Sequence, residues 1–249
     1  MMSLQPPFPF LSDAAMVLAA GFGTRMRPLT DTVPKPLLKV GGRTMLDLAV
    51  DRLVQAGVRR VVVNAHYLAD QIRDHLAERH DVELILSHED QILDTGGGMK
   101  KARPFFGDKP IFELGGDMPF FDGPGQAALT RMAQAWDPER MDVLLLVYPR
   151  EKARGFGPRG DFMLRPDGAL WRTGAPRVRD YVWLSAQIVK PQLYDEIEAE
   201  VFSNNKIFDV AEQRGRLFGL VHDGTCFHVG TPADLAQANA LLASGKGWG

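Results

Sequence analysis

One cysteine, Cys226, stands in 249 residues. An internal disulfide is therefore excluded, no Cys/His spacing of a zinc site is present, and a reducing compartment is expected. No Lys or Arg precedes Arg25, so the opening stretch lacks the basic segment of a secretory signal. No uninterrupted apolar run approaches the ~20 residues of a membrane-spanning helix. The expectation is a cytoplasmic protein with no membrane partner. A basic excess is missing as well, the formal net charge being -2, which disfavours a general nucleic-acid binder that must displace phosphate counterions. Internal repeats, low-complexity tracts and a clean linker are also absent. What is left, 45% hydrophobic and 24% charged residues, is ordinary for a soluble globular chain with an ample core.

The richest segment is Leu18-Ala19-Ala20-Gly21-Phe22-Gly23-Thr24-Arg25-Met26-Arg27-Pro28-Leu29-Thr30, followed by Pro34-Lys35-Pro36-Leu37. Ala14 to Ala20 is a short apolar run ending at a glycine, which reads as a buried parallel strand feeding a tight loop. In open α/β sheets ligands bind at that carboxyl end of the strands. Gly21 and Gly23 lack a Cβ, so their backbone amides can approach an anion closely. Arg25 and Arg27 add guanidinium forks suited to phosphate oxygens, and Lys35, stiffened by its flanking prolines, adds a point charge. A bare Gly-x-Gly is more often a plain turn. Here the glycines, the arginines and the Pro-Lys-Pro-Leu follow one another without a break, and phosphate is the ligand they suit.

The remaining pattern alternates. Thr44-x-x-Asp47 is a capping-box pattern ahead of a helix with Leu46, Ala49, Val50, Leu53 and Val54 on one face. Arg60 to Asn64 is a strand around Val61-Val62-Val63. A helix from about Leu68 to Arg79, a strand at Val82 to Leu86, a helix at Met99 to Phe106, a strand at Pro110 to Leu114, a helix at Gln126 to Trp136 and a strand at Val143 to Val147 follow. From Gly155 the rhythm becomes hairpin-like: Asp161 to Leu164, a turn at Arg165-Pro166-Asp167-Gly168, then Ala169 to Arg172. Further elements are a strand at Val182 to Val189, helices at Pro191 to Ala199 and Ile207 to Arg214, strands at Leu217 to Val221 and Cys226 to Val229, and a helix at Pro232 to Leu242. Such alternation implies an α/β fold, a Rossmann-like three-layer sandwich on a mainly parallel mixed sheet.

Other residues stand out on chemistry. Asp117, in Leu114-Gly115-Gly116-Asp117-Met118, follows a strand; on residues alone it reads equally as a turn cap or as a carboxylate that reaches a metal on a bound phosphate. Asp94-Thr95-Gly96-Gly97-Gly98 opens a helix; its glycines leave room for a flat base and Thr95 offers a hydrogen bond, the alternative being a turn without ligand. Asn64 ends the second strand at the same edge, and Gln91 is a weaker candidate. Lys152 and Arg154 are candidates by location alone, a solvated charge run being an equal reading. His66, His75, His80, His88 and His222 carry no usable pattern.

The glycine-arginine segment with its Pro-Lys-Pro-Leu resembles the signature of sugar-1-phosphate nucleotidylyltransferases, which join a nucleoside triphosphate to a sugar 1-phosphate. With Asp94-Thr95-Gly96-Gly97-Gly98 and the short length, it is most similar to the single-domain members that make UDP-N-acetylmuramic acid in cell-wall recycling. The resemblance implies the nucleotide-diphospho-sugar transferase fold. Residues 1–12, with Pro6, Pro7 and Pro9, read as an N-terminal extension, either disordered or extended with its phenylalanines packed on the domain; one domain is expected over 13–249, with 13–150 taking the nucleotide and 151–249 the sugar phosphate. Arg25, Lys35 and Asp117 become the catalytic residues. Leu18, Ala19, Ala20, Gly21, Gly23, Thr24, Arg25, Asn64, Asp94, Thr95, Gly96 and Gly97 become the nucleotide site. Gly160-Asp161-Phe162 matches a motif expected at the sugar hydroxyls, and Asn205 joins Gly160 and Asp161 at the acceptor.

Mg²⁺ is the cofactor the resemblance implies, held by Asp117. The family's second aspartate, in a Trp-x-Asp-x-Gly-Thr context, is replaced in Cys226-Phe227-His228-Val229-Gly230-Thr231 by His228, and imidazole is a poorer Mg²⁺ ligand than a carboxylate. Three roles stay open: His228 binds the metal or a bridging water, Asp117 alone holds it with the phosphates, or activity is weakened. UTP with N-acetylmuramic acid 1-phosphate is the leading substrate pair. GTP with mannose or heptose 1-phosphate is the alternative, as is a nucleotide-sugar-binding regulator with weakened catalysis. A dinucleotide oxidoreductase is disfavoured, because Met26 stands where a third glycine belongs and Pro28, Pro34 and Pro36 prevent an immediate helix.

Overall fold

The computed structural model describes residues 8–244. Its centre is a sheet of seven strands: β1 (Ala14–Leu18), β2 (Arg60–Ala65), β3 (Glu83–His88), β4 (Ile111–Gly115), β5 (Val143–Pro149), β6 (Tyr181–Val189) and β7 (Leu217–Val221). Their spatial order is β7-β5-β6-β4-β1-β2-β3. All neighbours pair in parallel except β6, which runs antiparallel to both β4 and β5. The residues after 150 therefore do not form a separate body: they insert β6 and β7 into the sheet built by the first half.

Both faces are covered, which is why the strands read as unbroken apolar runs rather than alternating ones. Ala15, Val17, Val61 and Val63 face one layer, with α1 (Met45–Gln55), α2 (Ala69–Ala77) and α4 (Ala128–Ala135) packed on it through Leu46, Leu53, Ile72 and Met132. Ala14, Met16 and Val62 face the other, against α3 (Asp94–Ala102) and α5 (Asn205–Gln213) through Met99, Ile207 and Phe208. The expected three-layer sandwich is present. A third cluster joins Met26 and Met45 to Phe227, Val229 and Ala238, so α6 (Pro232–Ala243) closes over the loop that follows β1.

Thr44 caps α1 by accepting the Asp47 amide at 3.0 Å, while the fully reciprocal capping box belongs to Thr231 and Asp234 on α6. Two expected elements fail. The helix at Pro191 to Ala199 is a single 3₁₀ turn, Pro191–Tyr194, because the Lys100 ammonium reaches the carbonyls of Ile197, Glu198 and Ala199 and holds that backbone against α3. The strand at Cys226 to Val229 is reduced to Thr225–Cys226, paired with Phe120–Phe121, after which the chain turns into the site. Of the N-terminal extension, residues 1–7 lie outside the described residues. Phe8 packs on the core and Leu11 is buried, whereas Phe10 is exposed.

Candidate active site

The carboxyl ends of β1, β2, β3 and β4 converge on one cavity of about 580 Å³. Two crossed hydrogen bonds fix its floor: the Gly116 amide donates to the Leu18 carbonyl at 2.8 Å and the Ala19 amide to Asn64 Oδ1 at 2.7 Å. Gly23, at φ 61°, lets the loop turn back; a Cβ there would stand 3.0 Å from the Lys35 Cβ and 3.1 Å from the Thr30 methyl. The Thr30 hydroxyl locks this turn by donating to the Gly23 carbonyl at 2.8 Å. Gly21 faces open space in the cavity wall.

That turn seats Lys35 in a buried position, where its ammonium donates to Asp117 Oδ2 at 2.6 Å. Lys35 is 11% exposed and Asp117 41%, so the carboxylate presents outward into the cavity. Arg25 lines the same wall with no hydrogen bond or ion pair of its own among the described residues, a cation held ready for an anionic ligand. Arg27 instead pairs with Asp31 at 3.2 Å and leaves the cavity.

His228 is off the cavity wall. Its ring packs on Phe156 with centroids 5.0 Å apart, its Nε2 lies under Gly230, and its Nδ1 is buried without a partner. Burial pushes its pKa down, the charges of Lys35 and Arg25 push it further, and Asp117 and Asp234 act against them. The ring is a neutral imidazole at neutral pH. Among the described residues no cluster of three or more His, Cys, Asp or Glu is arranged around a metal position.

Leu18, Ala19, Ala20, Gly21, Gly23, Thr24, Arg25, Asn64, Asp94 and Thr95 all line the cavity. Gly96 and Gly97 do not, and the room expected at the glycine run for a flat base is already taken by protein. A Cβ on Gly96 would meet the Phe202 ring at 2.4 Å, one on Gly97 the Glu200 carbonyl at 2.2 Å, and one on Gly98 the Asn64 amide at 2.6 Å and Glu89 at 2.7 Å. The space freed by these glycines is filled by protein, which lets α3 press on the chain at 200–202 and on Asn64. Thr95 Oγ1 accepts the Asn204 amide at 2.8 Å, tying the helix start to the same stretch.

A second cavity of about 540 Å³ shares Asp94, Thr95 and Trp183 with the first. Asp161 and Asn205 line it; Gly160, at φ 66°, shapes the approach without lining it. Asp161 Oδ2 accepts the Trp183 amide at 2.9 Å; burial raises its pKa, against that hydrogen bond and the charges of Arg179 and Arg172. Asn205 Oδ1 accepts from the Arg172 guanidinium. Gln91 lines a separate cavity with Lys100 and Lys101, and Lys152 and Arg154 line none of these cavities.

Several wall residues carry no sequence signal. Because β6 is antiparallel, its beginning lies at the carboxyl edge of its neighbours, and Trp183 and Ser185 reach the first cavity. Ser185 sits at φ 50° where the pairing with β5 shifts register. Glu89 accepts from Asn64 Nδ2 at 2.7 Å and from the Leu93 amide at 3.1 Å. Glu113 is buried mid-strand, accepting from Tyr194 at 2.7 Å, Gln187 at 2.8 Å and Asn204. With no cation among those contacts, burial lifts its pKa to about 7.

A cavity at the carboxyl edge of a mainly parallel sheet, walled by a glycine loop, a free arginine and a lysine-carboxylate pair, defines a phosphate-handling nucleotide enzyme of the α/β class. Residues 14–158 match the family described as nucleotidyl transferase. The chain belongs to that family and is a sugar-1-phosphate nucleotidylyltransferase. It is 39% identical over 234 residues to N-acetylmuramate alpha-1-phosphate uridylyltransferase of Caulobacter vibrioides, covering 92% of this chain and 96% of that one. The protein of the same name from Neisseria meningitidis is 34% identical over 236 residues, covering 93% and 99%. A mannose-1-phosphate guanyltransferase beta-B of Xenopus laevis is 29% identical over 88% of this chain and 62% of its own length. Solved structures share the fold: UTP-bound UGPase of Acinetobacter baumannii at TM-score 0.74 and 17% identity, covering 92% of each chain, and UDP-glucose pyrophosphorylase complexed with UDP-glucose at 0.75 and 13%, covering 93% and 98%.

Proposed function

We propose that this chain transfers a uridylyl group from UTP to N-acetylmuramic acid 1-phosphate, releasing pyrophosphate. The observation that carries it is full-length similarity at 39% and 34% to two proteins of that activity. In support, Arg25, Lys35 and the glycine loop on the wall of the first cavity suit a nucleoside triphosphate, and the adjoining cavity offers Asp161 and Asn205 to a sugar.

The acceptor phosphate oxygen attacks the α-phosphorus in line; the new P–O bond forms as the bond to the β-phosphate oxygen breaks. No side chain need be modified, so the protein contributes position and charge. Arg25 and the loop amides hold the β- and γ-phosphates. Lys35, kept in place by Asp117, sits where a cation can bind the α-phosphate or the acceptor phosphate. Asp117 would hold Mg²⁺, which prefers oxygen ligands and takes one or two carboxylates with substrate phosphates; one outward carboxylate fits that demand. Bound there, the ion supplies neutralisation of phosphate charge. His228 is a neutral nitrogen donor away from the cavity, and we assign it to the wall behind Arg25 and Gly230. The reaction belongs in the cytoplasm, where its nucleotide is made, and its product is an activated cell-wall sugar of the kind regained in peptidoglycan recycling.

The test is pyrophosphate release with Mg²⁺, crossing UTP, GTP, dTTP and CTP against N-acetylmuramic acid, mannose, glucose and heptose 1-phosphates. The expected maximum is UTP with N-acetylmuramic acid 1-phosphate. A maximum with GTP and mannose 1-phosphate replaces the substrate assignment, and silence with retained nucleotide binding replaces catalysis by regulation.

A further inference from the structure

The second cavity holds an unused cation. Among the described residues its cationic lining consists of Arg172 and Arg179. Arg172 is committed: Nη2 and Nε donate to Asp209 at 2.6 and 3.1 Å, Nη2 also to the Asn205 carbonyl at 2.7 Å, and Nη1 to the Asn205 side chain. Its charge is met by Asp209, and its work is to hold Asn205. Arg179 differs. It forms no ion pair among the described residues, its Nε is buried without a partner, and its one side-chain hydrogen bond is a long 3.4 Å contact from Nη2 to the Arg172 carbonyl. Its backbone is fixed at both ends, the amide donating to the Arg159 carbonyl and its own carbonyl accepting from Arg150 Nε at 3.0 Å. The guanidinium is thus held at the wall by its main chain while its donors stay unspent.

Leaving a half-buried guanidinium with a single long hydrogen bond and no counter-charge costs free energy that an incoming anion recovers. Asp161 lies within range of its charge but makes no ion pair with it, and is occupied by the Trp183 amide. A cation for the acceptor phosphate is already provided by Lys35 in the first cavity, which Arg179 does not line. N-acetylmuramic acid carries a second anion: it is N-acetylglucosamine with a lactic acid ether on O3, whose carboxylate projects from the ring away from the anomeric phosphate.

Building on the uridylyl-transfer reading above, we propose that Arg179 is a specificity-determining residue that binds the carboxylate of the acceptor sugar in the second cavity. Asp161 takes sugar hydroxyls beside it, Trp183 separates the sugar end from the phosphate end, and Arg172 keeps Asn205 facing the ring. The site selects the carboxylate-bearing sugar over its parent by a charge-assisted fork rather than by size.

The experiment measures kcat/KM with UTP for N-acetylmuramic acid 1-phosphate and for N-acetylglucosamine 1-phosphate in the wild type, Arg179→Met and Arg179→Lys. The ratio between the two acceptors serves as its own control for folding and for nucleotide binding. In Arg179→Met the ratio should fall about 10–100-fold, the scale of one hydrogen-bonded charge pair, mainly through KM. Arg179→Lys should retain an intermediate ratio. A ratio unchanged in Arg179→Met, whether both acceptors weaken together or neither does, overturns the proposal; joint weakening means that Arg179 serves the shared phosphate. A wild type inactive with N-acetylmuramic acid 1-phosphate overturns the parent reading and this proposal together, and it is visible before any variant is made.

Discussion

Glu113→Gln removes a buried charge that the fold tolerates poorly, and the effect has a defined pH window. The ordinary carboxyl value of 4.5 is raised to about 7 by complete burial, with the hydrogen bonds from Tyr194, Asn204 and Gln187 offsetting part of that push. Between pH 4.5 and about 7 the folded protein keeps a proton that the unfolded chain has released. By linkage, stability therefore falls as pH rises across this window. Below it both states are protonated and nothing is lost; above it the full cost of the buried charge is present. The displacement corresponds to roughly 3 kcal/mol at about 1.4 kcal/mol per tenfold. For a domain of this size about 2–4 °C accompanies each kcal/mol, so the melting temperature responds by about 6–12 °C. Glutamine does not titrate. Thermal unfolding of wild type and Glu113→Gln at fixed ionic strength from pH 5 to 8 should show the wild type losing that amount relative to the variant, since all other titrating groups cancel in the difference. Parallel profiles within about 2 °C, a third or less of the expected change, would refute the claim that Glu113 holds its proton to neutral pH.

Arg25→Ala should lower kcat at least about 100-fold with the thermal transition unchanged, the scale of removing one preorganised charge from a transition state; steady-state pyrophosphate release decides it. Asp117→Asn should cost a similar factor, about 100-fold, and raise the Mg²⁺ concentration needed for half-maximal rate, whereas full activity would remove Asp117 from the metal site. Gly97→Ala should lower the melting temperature by several degrees: alanine favours a helix, but the added Cβ would stand 2.2 Å from the Glu200 carbonyl and 2.9 Å from the Leu93 Cβ, and overpacking of this kind costs about 1–3 kcal/mol. A higher melting temperature would contradict the close packing of α3 on residues 200–202.

The sheet was legible because its strands announce themselves locally. Val61-Val62-Val63 and Ala14 to Leu18 need both faces covered, and the helices between them carry apolar stripes at helical spacing. The first cavity was legible for a related reason: Gly23, Arg25 and Lys35 lie close together on one stretch of chain, 23–35. Glu113 was not, since Ile111-Phe112-Glu113-Leu114 reads as a strand with one stray charge and its partners Gln187, Tyr194 and Asn204 are 74, 81 and 91 residues distant. Distance in sequence also explains the glycine run at 96–98, whose neighbours Phe202 and Glu200 no local pattern reveals. The far wall of the first cavity depends on β6 entering the sheet antiparallel, which carries Trp183 and Ser185 to it; strand direction leaves no mark on composition. The helix expected at 191–199 fails for a similar reason, since Lys100, which takes up its carbonyls, lies on α3.

The most direct test incubates the purified protein with UTP, N-acetylmuramic acid 1-phosphate and Mg²⁺ and resolves the products by phosphorus NMR and mass. The account predicts equal amounts of pyrophosphate and UDP-N-acetylmuramic acid, with both substrates consumed together. Pyrophosphate without the nucleotide sugar, or both substrates recovered intact under conditions where UTP binds, would contradict it.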